Sequence, residues 1–115
     1  MADRYAGEDT MIDQTLIAKA TKLLLDAAHP NKIILFGSYG RGDARVESDV
    51  DLLVVETDVK DRVAEMTRLN RVLSPLRMSI DLLVVSQETF DYWASTPGNV
   101  YFQAIQEGKV LYEAA

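Results

Sequence analysis

The chain is 115 residues long, 48% of them hydrophobic, with 12 basic and 18 acidic side chains, a net charge of −6 and no cysteine. That length supports one core and leaves no room for a second domain. The missing cysteine excludes disulfides, thiol nucleophiles and thiolate metal sites, and the acidic balance argues against direct nucleic-acid binding, which rests on phosphate neutralisation. No apolar run approaches the ~20 residues of a membrane span, and the polar start, Met1-Ala2-Asp3-Arg4-Tyr5, lacks a signal-peptide pattern. The expectation is a cytoplasmic protein with no membrane contact, whose acidity suits a basic protein partner as well as ordinary solubility.

Residues 1–9 read as a flexible N-terminus and 10–115 as one domain. Thr10-Met11-Ile12-Asp13 resembles a capping box with Asp in place of Glu. An apolar stripe of Ile12, Leu16, Ala20, Leu23, Leu24 and Ala27 follows and marks a helix up to His29-Pro30, where the single histidine reads as a helix-end residue. Ile33-Ile34-Leu35-Phe36 is a short β-branched apolar run, as expected of a buried strand, and Leu52-Leu53-Val54-Val55 is another. Val59 to Leu73 reads as a helix capped by Thr57 or Asp58, with Val63, Met66, Leu69, Val72 and Leu73 near helical spacing and Ser74-Pro75 ending it. Ile80 to Val85 is a third strand. Ser86 can cap a short helix carrying Phe90, Tyr92 and Trp93, and Asn99 a helix from Val100 to Glu107 closed by Gly108. Lys109 to Tyr112 adds a short strand or clasp, and the aromatics, with Tyr101 and Phe102, are expected in the core.

The chemistry concentrates between the first two strands. Gly37-Ser38 is followed, after ten residues, by Asp49-Val50-Asp51. Side chains two apart on a strand share a face, so the two carboxylates lie roughly 7 Å apart along it. Carboxylates that close conflict when both are ionised, and a divalent cation removes the conflict. Oxygen-only ligands select a hard cation, magnesium or manganese. Gly37 lets the backbone approach a bulky anion, and Ser38 offers a hydroxyl and an N–H. A short helix starting there would add N–H groups for phosphate. Read blandly, the same stretch is a polar hairpin, since acidic pairs are common at strand edges.

A third acid repeats the pattern: Ser79-Ile80-Asp81 leads into an apolar strand as Ser48-Asp49-Val50-Asp51 does. A strand, helix and strand of this length form a crossover unit with parallel strands, so Asp81 should fall on the edge that carries Asp49 and Asp51. The first connection is too short for a crossover, which makes the first strand antiparallel to the second and brings Gly37-Ser38 to that edge too.

With Gly37-Ser38, Asp49-Val50-Asp51 and Asp81 in this order, the chain resembles the nucleotidyltransferases of DNA polymerase beta type. The loop Gly37-Ser38-Tyr39-Gly40-Arg41-Gly42, the run Ser48 to Leu52 and the ending Ile105 to Glu113 are similar to the minimal nucleotidyltransferase (MNT) family, from about residue 12 onward. Gly40 departs from the family, which more often has Ala there. The resemblance implies an α/β fold with a small mixed sheet flanked by helices. It implies a magnesium-dependent nucleotidyltransferase with ATP as substrate, in which Asp49 and Asp51 hold two Mg2+ ions and Asp81 completes the second site and helps take the acceptor proton. Gly37 and Ser38 would hold the β and γ phosphates, with Gly42 in the same loop. Arg41 is the nearest cation for the leaving group and Arg45 a weaker candidate. MNT proteins of this kind are often antitoxins of HEPN ribonuclease toxins and modify a tyrosine of that partner with AMP. Two alternatives stay open: transfer to a small-molecule hydroxyl, and an antitoxin that acts by binding alone.

Overall fold

The computed structural model describes residues 14–45 and 48–115. The expected flexible start, the capping box at Thr10–Asp13 and Ile12 lie outside these. Along the chain run α1 (Gln14–Ala28), β1 (Lys32–Phe36), the one-turn α2 (Gly37–Arg41), β2 (Val50–Glu56) and α3 (Arg62–Leu73). A 3-10 turn (Ser74–Leu76), β3 (Ile80–Ser86), α4 (Gln87–Trp93), α5 (Val100–Glu107) and β4 (Lys109–Glu113) complete it. The four strands form one mixed sheet in the order β3-β2-β1-β4, with β2 and β3 parallel and the other pairs antiparallel.

Helices cover both faces. Ile17, Ala20 and Leu24 of α1 and Leu69 and Leu73 of α3 pack on Ile33, Leu35, Leu52, Val54, Leu82 and Val84. Ile34, Leu53, Val55 and Val85 face the other way, against Phe90 of α4 and Ala104 of α5. A strand covered on both faces needs apolar residues at every position, and for that reason β2 reads as a continuous run rather than an alternation. At about 25 cal/mol per Å² of apolar surface, each of the buried leucine, isoleucine and valine side chains among them contributes about 2 kcal/mol of transfer free energy.

Several expectations need correcting. The inward stripe of α1 includes Ile17, with Leu16 only half-buried. α3 begins at Arg62, not Val59, because the Asp61 carboxylate accepts the Ala64 N–H at 3.1 Å. Thr57 instead donates its hydroxyl to Asn31, and Val63 faces solvent at 70% exposure. Tyr92 and Trp93 stack edge-on to each other on the surface, whereas Phe90 is core. Asn99 caps α5 as expected, accepting from the N–H groups of Tyr101 and Phe102, and Ser86 caps α4. His29 does terminate α1, in a left-handed conformation.

Gly108 follows α5 in an extended conformation rather than the left-handed one of a closing glycine. Its glycine character comes from crowding: a Cβ there would lie 2.3 Å from the Ala104 carbonyl and 2.8 Å from both the Leu35 carbonyl and Ile34 Cγ2. Gly40 meets the same junction, 2.7 Å from the Leu35 carbonyl and 3.2 Å from the Gly108 α-carbon. The Gly40 departure from the family pattern therefore matches a place where α2 is pressed onto β1.

Candidate active site

Register brings the motif residues to one edge of the sheet. Phe36 pairs with Asp51 across the antiparallel β1–β2 ladder, so the chain turns into Gly37 beside that carboxylate. Asp51 pairs with Asp81 across the parallel β2–β3 ladder, where neighbouring strands are about 4.8 Å apart. Asp49 lies just ahead of β2 on the same face by alternation. Leu52 and Leu82 point to the α1–α3 face, so Asp51 and Asp81 open toward the α4–α5 face.

The fit between Gly37 and Asp51 is the tightest feature of this edge. Gly37 has φ +65°, and a Cβ built on it would lie 2.0 Å from Asp51 Oδ2 and 3.0 Å from its Cγ. No side chain other than hydrogen is compatible with the carboxylate where it stands. The one-turn α2 begins at Gly37 itself, so the start of a short helix stands beside the Asp51 carboxylate. The turn is closed by the Gly42 and Asp43 N–H groups, both donating to the Ser38 carbonyl at 2.9 Å.

Charge crowding marks Asp51. Burial, then the Asp81 charge, then the Asp49 charge hold its carboxyl above the ordinary aspartate range, and Arg41 opposes them weakly. Asp49 is differently held: its Oδ1 accepts the Ser79 hydroxyl, and the Ser79 carbonyl accepts the Val50 N–H at 2.9 Å. Arg41 does not point an unengaged charge at the acids. Its Nε donates to Asp43 at 3.2 Å and its Nη1 to Glu107 at 3.1 Å, and these partners, Asp43 first, raise its pKa further. Arg45 is exposed, and its backbone N–H donates to the Ser48 hydroxyl at 2.8 Å. Gly42 ends α2 in a left-handed conformation with open space where a Cβ would stand. It lines an apolar cavity of about 470 Å³ with Ile17, Leu35, Tyr39 and Leu111 on the α1 face, away from the acids.

Ser79, Asp43 and Glu107 were not singled out by sequence reasoning. The repeated Ser-acid pattern ahead of β2 and β3 was the available signal for Ser79. Glu107 reaches Arg41 across 66 residues, which no local pattern encodes.

The donors at this edge are carboxylate oxygens, the chemistry of a hard cation, and the crowding around Asp51 is what such a cation would relieve. Among the described residues no three acidic, histidine or cysteine side chains are gathered closely enough to hold an ion by themselves. Magnesium commonly takes only one or two carboxylates and completes its shell with water and substrate phosphate, so the acids fit a metal that arrives with a nucleotide. Among the described residues no helix is long and apolar enough to cross a membrane.

A mixed sheet opening on three acids beside a Gly-Ser turn defines a nucleotidyltransferase. The chain belongs to the polymerase beta nucleotidyltransferase family, whose sequence model matches residues 18–115. It is 37% identical over 81 residues to MJ0604 of Methanocaldococcus jannaschii, provisionally named a protein adenylyltransferase, covering 70% of this chain and 77% of that one. It is 35% identical over 66 residues to the protein adenylyltransferase MntA of Shewanella oneidensis, covering 56% of this chain and 48% of that one. In three dimensions it is similar to a chain of a toxin–antitoxin crystallised with AMP-PNP, with TM-score 0.62 and 27% identity over 84% of this chain and 73% of that one. A chain of the tri-AMPylated Shewanella oneidensis HEPN toxin in complex with MNT antitoxin matches with TM-score 0.58 and 27% identity, over 88% of this chain and 72% of that one.

Proposed function

We propose that residues 10–115 form a minimal nucleotidyltransferase domain that transfers AMP from ATP to a tyrosine hydroxyl of a HEPN-type toxin partner, acting as its antitoxin. The observation that carries the reading is the meeting of Gly37 with Asp51, and of Asp51 with Asp81, at one sheet edge. Similarity to an MNT antitoxin crystallised with an AMPylated HEPN toxin supports the acceptor, and similarity to a toxin–antitoxin holding AMP-PNP supports the nucleotide. The net charge of −6 suits a basic partner and disfavours nucleic acid.

In this reading Gly37, Ser38 and the N–H groups opening α2 bind the β and γ phosphates, and the missing Cβ at Gly37 lets the Asp51 carboxylate stand directly against the start of that turn. Asp49, Asp51 and Asp81 would hold two Mg2+ ions, which supply charge neutralisation on the phosphates and acidify the acceptor hydroxyl. Asp81, in register with Asp51, accepts the acceptor proton. The hydroxyl oxygen bonds to the α-phosphorus, the bond from that phosphorus to the β-phosphate bridging oxygen breaks, and pyrophosphate leaves with its electron pair. Arg41 balances leaving-group charge when it exchanges Asp43 or Glu107 for phosphate. The test is co-expression with a HEPN ribonuclease partner. Wild-type protein is expected to restore growth and add adenylate mass to the partner. The Asp49→Asn, Asp51→Asn double variant should do neither, and neutralisation surviving in that variant would show an antitoxin acting by binding alone.

A further inference from the structure

We infer that Ser79 is a positioning residue that seats Asp49 for the metal–nucleotide, an inference resting on the nucleotidyl-transfer reading above. Asp51 and Asp81 lie inside the β2–β3 ladder, so strand pairing fixes their backbones from both ends. Asp49 lies one residue ahead of β2, so strand pairing holds its backbone from one side only. The chain fixes it by another route. Val50 pairs with Ile80, and the Val50 N–H donates to the Ser79 carbonyl at 2.9 Å, which sets Ser79 beside Asp49 although 30 residues separate them. The Ser79 hydroxyl then donates to Asp49 Oδ1.

That hydrogen bond does two things for the site. It occupies one carboxylate oxygen and restricts rotation about the Asp49 side chain, so the remaining lone pairs are presented in a fixed direction. It also gives Asp49 a neutral partner, without adding a cation that would compete with the metal. Hydroxyl support of a ligating carboxylate is the kind of contact whose loss costs ten- to a hundredfold in metal affinity. Ser79 is itself exposed and contributes little apolar burial, so its replacement should spare the fold.

The test compares Ser79→Ala and Ser79→Thr with wild type, using isothermal titration of Mg-ATP and the magnesium concentration giving half-maximal ATP binding. Ser79→Ala is expected to shift that midpoint upward by about tenfold with an unchanged melting temperature in metal-free buffer. Ser79→Thr, which keeps the hydroxyl, should return most of the loss. A midpoint within twofold of wild type for Ser79→Ala, or an equal loss in Ser79→Thr and Ser79→Ala, would overturn the inference. The Asp49→Asn, Asp51→Asn double variant runs alongside. If it abolishes Mg-ATP binding while Ser79→Ala does not weaken it, Ser79 alone has been misread; if it binds Mg-ATP as wild type does, the nucleotidyl-transfer reading falls with it.

Discussion

Replacing Glu56 with glutamine should stabilise the fold at neutral pH, and by an amount that depends on pH in a defined direction. Glu56 closes β2 at the end opposite the acids and is only 9% exposed. Its Oε2 is buried and meets no hydrogen-bond donor among the described residues. Beside it on α3 is Glu65, whose carboxylate is gripped by Arg68 Nε at 2.9 Å and Nη2 at 2.7 Å. Burial first, then the hydrogen bond to Glu65, then the Glu65 charge push the Glu56 carboxyl up to about 8 from 4.5, with Arg68 opposing. Arg68 in turn holds the Glu65 carboxyl below its ordinary range. The proton therefore sits on Glu56 and Glu65 accepts it. Between about pH 4.5 and 8 the folded chain holds a proton on Glu56 that the unfolded chain releases, so the contribution of Glu56 is fully present below that window and is lost as pH rises through it. At about 1.4 kcal/mol per pH unit, holding that proton at pH 7 costs about 3 kcal/mol. Glutamine has the same shape, donates its amide to Glu65 and carries no proton to lose. Urea denaturation of wild type and Glu56→Gln at pH 5, 6, 7 and 8 should show a gain of about 1 to 3 kcal/mol at pH 7 that shrinks toward pH 5. A variant no more stable than wild type at pH 7, or a gain that is constant across the series, would refute the shared-proton account.

Gly37→Ala should abolish nucleotide binding in a titration and lower the melting temperature, since its Cβ collides with Asp51 and its φ of +65° costs a non-glycine residue about 1 kcal/mol or more. Asp51→Asn should do the reverse to stability: it removes a crowded, half-buried charge, so the melting temperature in metal-free buffer rises while transfer is lost. Gly108→Ala should cost about 1–3 kcal/mol in chemical denaturation, because three atoms around Gly108 would stand within 2.8 Å of the new methyl.

Much of this arrangement could be read from the residues. Continuous apolar runs at Ile33–Phe36, Leu52–Val55 and Leu82–Val85 mark strands covered on both faces. The short first connection and the helical second one then dictate antiparallel and parallel pairing, and that pairing alone brings Gly37, Asp51 and Asp81 together. What escaped depends on choices that local pattern leaves degenerate. Thr57, Asp58 and Asp61 can each cap α3, and only the path from β2 selects Asp61. Tyr92 and Trp93 flank the helix face that Phe90 buries, and a seven-residue helix is too short for periodicity to say which side is inward. The partners that tune the edge, Ser79 on Asp49 and Glu107 on Arg41, come from segments 30 and 66 residues away. Glu56, a charged residue at a strand end, reads as solvated until the neighbouring Glu65 and Arg68 are seen to cover it.

The most direct test of the central claim uses ATP labelled at the α-phosphate, incubated with magnesium, this protein and lysate of its host, beside the Asp49→Asn, Asp51→Asn double variant. Nucleotidyl transfer to a partner predicts a discrete labelled protein band with wild type that is missing with the variant, its mass identifying the acceptor. A folded wild-type sample that binds Mg-ATP yet labels no protein, or a band that persists with the variant, would contradict it.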